Sequence, residues 1–297
     1  MPNLLDIRRR IRSVKNTQQI TQAMKMVSAA KLRRAQEQAL AARPYARRLA
    51  ELMEGLAAFL DPQELADVRL PGADWPLGAL WARRPVQRRL IVAVTTDSGL
   101  VGAFNANVLK AVQAVMVESP GVATQFAAIG RKGRDYFKRH ARTLLYERVG
   151  VFARTIDYAV AAEAAAAVMR AFATAAVDEV VLVGNEFKSV LQQRLVTRTL
   201  LPLELSEQSG PARDYIFETP PAQLLAALLP RAVETQIFRA LLESFAAEHA
   251  ARMNAMEAAT TNAGDLIERL TLNMNRIRQA AITKEIIEVV SGAAALE

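Results

Sequence analysis

The 297-residue chain contains no cysteine. That excludes disulfides, thiolate zinc sites and a cysteine nucleophile, and it fits a reducing compartment. Histidine is almost as scarce: His140 and His249 are too few and too far apart for a metal site, and each is expected to be an ordinary surface or interface residue. No stretch reaches the roughly 20 uninterrupted apolar residues that span a bilayer. The nearest, YAVAAEAAAAVMRAFATAAV (158–177), carries Glu163 and Arg170 and reads as a buried or amphipathic helix. Acidic residues are rare near the start, where the first 34 residues hold only Asp6 beside many arginines. A mitochondrial transit peptide has that composition, but the same helical pattern runs past residue 40 with no obvious cleavage point, so the segment is expected to belong to the fold.

Apolar residues make up 52% of the chain, enough for a substantial core in one large domain or two ordinary ones. The net charge of +8 is uneven: residues 1–60 hold 12 Lys/Arg against 4 Asp/Glu, whereas residues 231–297 hold 7 against 9. The basic excess therefore belongs to the first segment. Such a helix face is either solvated or docked on an acidic partner. Nucleic acid is a third option, although Tyr45 and Phe59 are the segment's only aromatics and no nucleic-acid motif is present.

Residues 3–43 lack Pro and Gly, and Leu4, Ile7, Ile11 and Val14 recur at spacings of three and four. This predicts a helix with a narrow apolar stripe. The stripe then jumps to Ile20, Met24 and Val27, a break in phase that would overwind a coiled coil, and Pro44 is expected to kink the helix before it continues towards Phe59 and Leu60. Near the other end, Met253, Met256, Thr260, Ala263, Ile267, Leu270, Met274, Ile277 and Ala281 keep a seven-residue period. That period implies a left-handed supercoil. About 60 residues of helix would be ~90 Å long and cannot bury such a stripe against a compact domain alone. The first helix is the available partner, giving a long antiparallel left-handed coiled coil of N- and C-terminal helices.

Between them, RLIVAVTT (89–96), QFAAIG (125–130), TLLYERV (143–149), EVVLVGN (179–185) and QQRLVTRTLLPL (192–203) read as strands alternating with helices. Alternation predicts an α/β layer domain with a mostly parallel sheet. Junctions are expected in the Pro- and Trp-bearing region 61–88 and at Pro220-Pro221. The expected division is residues 1–60, a central domain over 61–230, and 231–297.

Tests for chemistry mostly fail. DSGLVGAFN places Gly99 and Gly102 in a strand-to-helix turn, yet it matches neither GxxxxGK[ST] nor GxGxxG, so tight turning is the expected role. GRKGRD (130–135) fails likewise, its basic residues reading as a solvated or partner-facing surface. Asp97 lies at a strand end, where α/β enzymes keep catalytic groups, but without a companion base, nucleophile or metal ligand it is expected to cap the turn. Glu285 and Glu288 share a helix face near the chain end without a sign of a pocket.

The segments MKMVSAAKLRRAQ (24–36), TTDSGLVGAFN (95–105), IGRKGRDYF (129–137) and ARMNAMEAATTNAGDLIERLTLNMNRIRQAAITKEIIEVVSGAAAL (251–296) resemble the gamma subunit of F-type ATP synthases, most specifically in ITKEIIEVVSGAAA. The resemblance implies a non-catalytic rotor shaft, one copy per complex, standing inside a ring of alpha and beta subunits. A central Rossmann-like α/β domain would face the epsilon subunit and the membrane c-ring. It implies Met24 and Lys25 near an acidic lever of beta, Arg278 and Gln279 bonded to beta's catch loop, and Thr283, Glu285 and Glu288 coupling shaft angle to catalysis. Ala293, Ala294 and Ala295 would form a bearing tip. It further implies no cofactor on this chain, nucleotide and Mg lying on alpha and beta, no nucleic acid, and a peripheral place on the cytoplasmic face of a bacterial inner membrane.

Three positions depart from the family pattern: Ser98 where arginine is usual, Val101 where a small residue or cysteine is common, and Met274 where an aromatic is frequent. They put contacts of the foot in doubt more than those of the shaft. Two rival readings remain open from the residues alone, a basic coiled-coil adaptor for nucleic acid or another acidic partner, and an α/β enzyme with helical arms.

Overall fold

A computed structural model of the chain describes residues 4–57, 75–152, 155–190, 192–203 and 218–294. Phe59 and Leu60 lie outside the described residues, as does the expected junction at 60/61. In chain order the elements are α1 (Leu4–Ala57), β1 (Arg88–Val94), α2 (Phe104–Val117), β2 (Ala123–Ile129), α3 (Arg131–Arg139), β3 (Leu144–Arg148), α4 (Tyr158–Ala173), β4 (Glu179–Phe187), β5 (Gln193–Leu201) and α5 (Pro221–Ala294), with a 3-10 turn at Leu77–Leu80. The two longest helices each carry an internal proline, Pro44 in α1 and Pro230 in α5. The second explains why sequence reading began the last helix at Arg231: Pro230 looks like a breaker, yet α5 starts ten residues earlier, at Pro221, where a proline is well suited to the first turn.

The chain divides into two compact units, Met1–Ala29 with Arg252–Glu297, and Ala30–Ala251. The larger unit holds one five-stranded sheet of order β3-β2-β1-β4-β5. The first four strands are parallel, and β5 runs antiparallel to β4 at the edge. Leu90 to Val94 are fully buried, as expected for a central parallel strand covered on both faces. Ile91, Phe126 and Val181 share one core cluster with Phe104, Val108 and Val112 of α2, and Phe126 stacks on Phe137 of α3 at 4.5 Å between centroids. Within the same unit α5 runs close to β4: the Asn185 N–H donates to Ser244 Oγ at 3.3 Å, and a Cβ on Gly184 would meet that Oγ at 3.3 Å.

The smaller unit is an antiparallel helix pair. Lys25 Nζ lies 2.8 Å from Glu257 Oε1, Thr21 Oγ1 2.7 Å from Thr260 Oγ1, and Gln18 Nε2 donates to the Thr260 carbonyl at 3.4 Å. Each step back along α1 is thus matched by a step forward along α5. The α5 side follows the predicted period, with Met256 and Ala263 buried and Met253, Thr260, Ile267, Leu270, Met274 and Ile277 half-buried, whereas Ala281 is exposed.

The α1 side corrects the sequence reading. Its stripe does not break phase. Ile20 and Val27 are exposed at 59% and 56%, and the seam continues from Leu4, Ile7, Ile11 and Val14 through Gln18, Thr21, Lys25 and Ser28 at unbroken heptad spacing. Polar residues occupy the middle of the seam, and the apolar recurrence there follows the neighbouring face. The same spacing recurs in the larger unit at Leu32, Ala35, Ala39, Leu49, Met53 and Leu56, all buried.

Candidate coupling surface

In a parallel sheet the crevice beyond the strand carboxyl ends is the usual ligand position. Here Asp97 occupies it. Its carboxylate accepts from the backbone N–H groups of Arg131 at 3.0 Å, Gly150 at 2.9 Å and Phe152 at 3.0 Å, tying together the loops after β1, β2 and β3. The first-turn amide of α3 that could hold an anion therefore holds a side chain of the protein itself. The glycines of GRKG have a packing reason: a Cβ on Gly130, whose φ is +101°, would lie 2.1 Å from the Thr95 carbonyl oxygen, and one on Gly133 2.8 Å from Thr95 Oγ1. Thr95 Oγ1 accepts from the Gly133 N–H at 2.8 Å. In DSGLVGAFN, Gly102 adopts φ +57° and Leu100 φ +63°, Val101 is buried in the core cluster, and the Ser98 carbonyl accepts from Thr96 Oγ1 at 2.6 Å. These motifs build a turn.

The histidines lie apart. His140 is exposed after α3, its Nδ1 2.9 Å from the Tyr136 carbonyl, and His249 is buried in α5 with its ring edge-on to Phe245, so the latter is a core residue and not a surface one. Among the described residues no group of His, Asp and Glu could hold a metal ion, and no helix is long and apolar enough to cross a membrane.

Of the residues singled out for partner contact, Met24 is half-buried and its carbonyl accepts from Ser28 Oγ at 2.8 Å, while Lys25 is engaged within the chain by Glu257. Around them Ile20, Met26 and Val27 present an exposed apolar outer face on α1. Sequence reading placed Ile20 and Val27 in the seam and so missed this face.

Arg278, Gln279, Thr283, Glu285 and Glu288 all lie along the last stretch of α5, where every residue from Arg278 to Ser291 is exposed. Extending the α1 pairing places Leu4 opposite roughly residue 278, so this stretch lies beyond the described part of α1. Gln279 offers its carbonyl to Thr283 Oγ1 at 2.9 Å, Glu288 lies 3.4 Å from Lys284 Nζ, and Arg278 and Glu285 make no ion pair among the described residues. Between the charges stand Ile282, Ile286, Ile287, Val289 and Val290, with Val289 72% exposed. This apolar set was absent from the sequence-predicted site, though spacings of four and three at 282, 286 and 289 are a visible helical signal. Ala293 and Ala294 end the described helix, and Ala295 lies outside the described residues.

The profile of the family described as ATP synthase matches residues 3–296. The ATP synthase gamma chain of Solibacter usitatus (strain Ellin6076) is 54% identical over 297 residues, covering 100% of both chains. That of Pelotomaculum thermopropionicum is 46% identical over 299 residues, again covering 100% of both. Among solved structures, a chain of the Euglena gracilis mitochondrial ATP synthase (OSCP/F1/c-ring, rotational state 3) aligns with a TM-score of 0.69 at 20% identity, covering 99% of this chain and 94% of its own. At that identity the likeness bears on the fold.

Proposed function

The chain belongs to the ATP synthase family and aligns end to end with its gamma chains, and from that premise we propose that it is the central-stalk rotor subunit. It does no chemistry itself and couples ion flow through the membrane ring to ATP synthesis or hydrolysis on alpha and beta. Its partners are the alpha and beta head, epsilon and the c-ring, at one copy per complex, on the cytoplasmic face of a bacterial inner membrane. Nucleotide and Mg belong to alpha and beta in this reading. The adaptor reading of the basic first segment finds no support in the family match.

The observation that carries the reading is the end of α5, which no described residue covers. A lone helix of about a dozen residues is marginal in water, and one rich in Ile and Val has weaker propensity still. An exposed apolar stripe on such an element needs a surrounding partner. A collar of alpha and beta supplies one, with Ile282, Ile286 and Val289 sliding against it and Ala293, Ala294 and Ala295 as the smooth tip. Arg278 and Gln279 provide a few polar contacts to beta, with Thr283, Glu285 and Glu288 at the last coupling level. A turning shaft tolerates few such contacts, because each hydrogen bond to a charged group contributes ~1.5–3 kcal/mol. Met24 and the Lys25–Glu257 pair form a second contact level, where charge acts only over the ~8 Å screening length of physiological salt.

Mixing the chain with cognate alpha and beta tests this. A stable assembly with steady ATP hydrolysis is expected; failure to restore hydrolysis, or turnover of nucleotide by the isolated chain, would overturn the proposal.

A further inference from the structure

In the larger unit the heptad seam of α1 runs through four alanines, Ala35, Ala39, Ala42 and Ala46. The first two are buried, but Ala42 and Ala46, on either side of Pro44, are left half-buried. Side chains this small leave room where Leu49 and Met53 further along close the seam. The room is a groove of two adjacent hollows with Thr235 and Arg239 of α5 lining both. The larger, ≈ 550 Å³, is walled by Tyr45, Tyr158 and Phe238, and the smaller, ≈ 290 Å³, by Leu49, Met53 and Arg198. Such volumes suit a small molecule in mostly apolar surroundings with a few polar groups.

The charges in the groove are unequal in their commitments. Glu234 accepts from the Tyr158 hydroxyl at 2.7 Å. Burial and the Glu234 carboxylate push the Tyr158 hydroxyl up to about 12, so it remains a donor at neutral pH. Arg239 is paired with Glu243 at 2.8 Å. Arg198 and Arg231 line the groove without an ion pair or hydrogen bond among the described residues. Among the described residues two cations, Arg198 and Arg231, thus stand against one carboxylate without an ion pair, Glu234, so the excess charge is cationic, and the walls are otherwise apolar and aromatic. We infer that this groove binds a single-chain amphiphilic carboxylate, its tail between Tyr45, Tyr158 and Phe238 and its head group against Arg198 in the smaller hollow.

The test titrates sodium dodecanoate, below its micellar concentration, into the full chain by calorimetry. Saturable binding at one molecule per chain is expected, weakened about tenfold by R198Q, the scale of one lost charged hydrogen bond. A42L, which fills the tail hollow, is expected to weaken it at least as much. Dodecyltrimethylammonium, with the same tail and opposite charge, should bind about tenfold more weakly than dodecanoate. Equal affinity for the two amphiphiles, unaltered dodecanoate binding in R198Q, or absence of a one-to-one site would overturn the inference. So would binding to phosphatidylglycerol vesicles that dodecanoate does not displace. Should A42L fail to fold by circular dichroism, R198Q and Y45A, both at exposed residues, carry the comparison.

Discussion

At the scale of single residues, the most constrained positions are those where backbone and side chain leave one solution. Gly130 combines a left-handed φ with a Cβ position 2.1 Å from a carbonyl oxygen. G130A is therefore expected to destabilise the α/β domain by about 2–4 kcal/mol in urea unfolding, whereas G99A, where a Cβ would meet nothing within 4 Å, should stay within about 0.5 kcal/mol. Asp178 is constrained by charge. Its carboxylate is buried, which opposes ionisation, but the Arg88 guanidinium at 3.1 Å and the Arg88 and Gln87 amides prevail and hold it below the usual carboxylate range. A lowered folded value means that the unfolded chain binds the proton first as pH falls. The stability Asp178 contributes is present above the ordinary carboxyl value of ~3.9 and is lost as pH falls through the lowered folded value. Unfolding midpoints measured from pH 6 to pH 2 should fall more steeply for the wild type than for D178N; parallel curves would remove Asp178 from the acid response.

At the scale of elements, most strands and helices were legible because their signals are local. Buried runs such as RLIVAV mark strands wherever they occur, and the α5 seam keeps its period through apolar residues. The α1 seam was misread for the converse reason: at Gln18, Thr21, Lys25 and Ser28 the facing surface is satisfied by hydrogen bonds and an ion pair across the helix pair, which no single-helix pattern reveals. Asp97 was recognised as a turn residue, but its three amide donors come from loops 34, 53 and 55 residues away and became visible only in the fold. The polar seam makes its own prediction. T21V and T260V each remove one side of a 2.7 Å contact while the other hydroxyl keeps a backbone acceptor, at the Gln18 or Met256 carbonyl. Each single change should cost about 0.5–1 kcal/mol and the double change little more than either. Strict additivity in a double-mutant cycle would mean that the two hydroxyls do not act as a pair. For the end of α5, amides from Gln279 to Ser291 should exchange with deuterium rapidly in the isolated chain and slowly in the assembled complex, since no described residue covers the helix there. Equal exchange in both states would place the segment outside any collar.

At the scale of the whole molecule, what matters is where a rotor can be gripped. Within the described residues the chain's own bonds occupy Lys25 and Asp97, but leave Arg278 open at the level of the first described residue of α1. A guanidinium there can make paired, directional bonds to a carboxylate or carbonyl on a surrounding subunit, which a sliding apolar stripe cannot. Removing it with its neighbour, in R278A/Q279A, forfeits interactions of about 1.5–3 kcal/mol at one angular position, equivalent to roughly a tenfold to hundredfold change in occupancy. Both side chains are exposed and make no side-chain bond among the described residues, so folding should be unaffected. In the reconstituted complex, ion pumping per ATP hydrolysed should fall several-fold while assembly persists, and E285Q, at an exposed carboxylate one level further along α5, should give a smaller loss in the same assay. A double variant that pumps as efficiently as wild type would assign the grip to another level of the shaft, with the Met24 and Lys25 level the next to be tested by the same measurement.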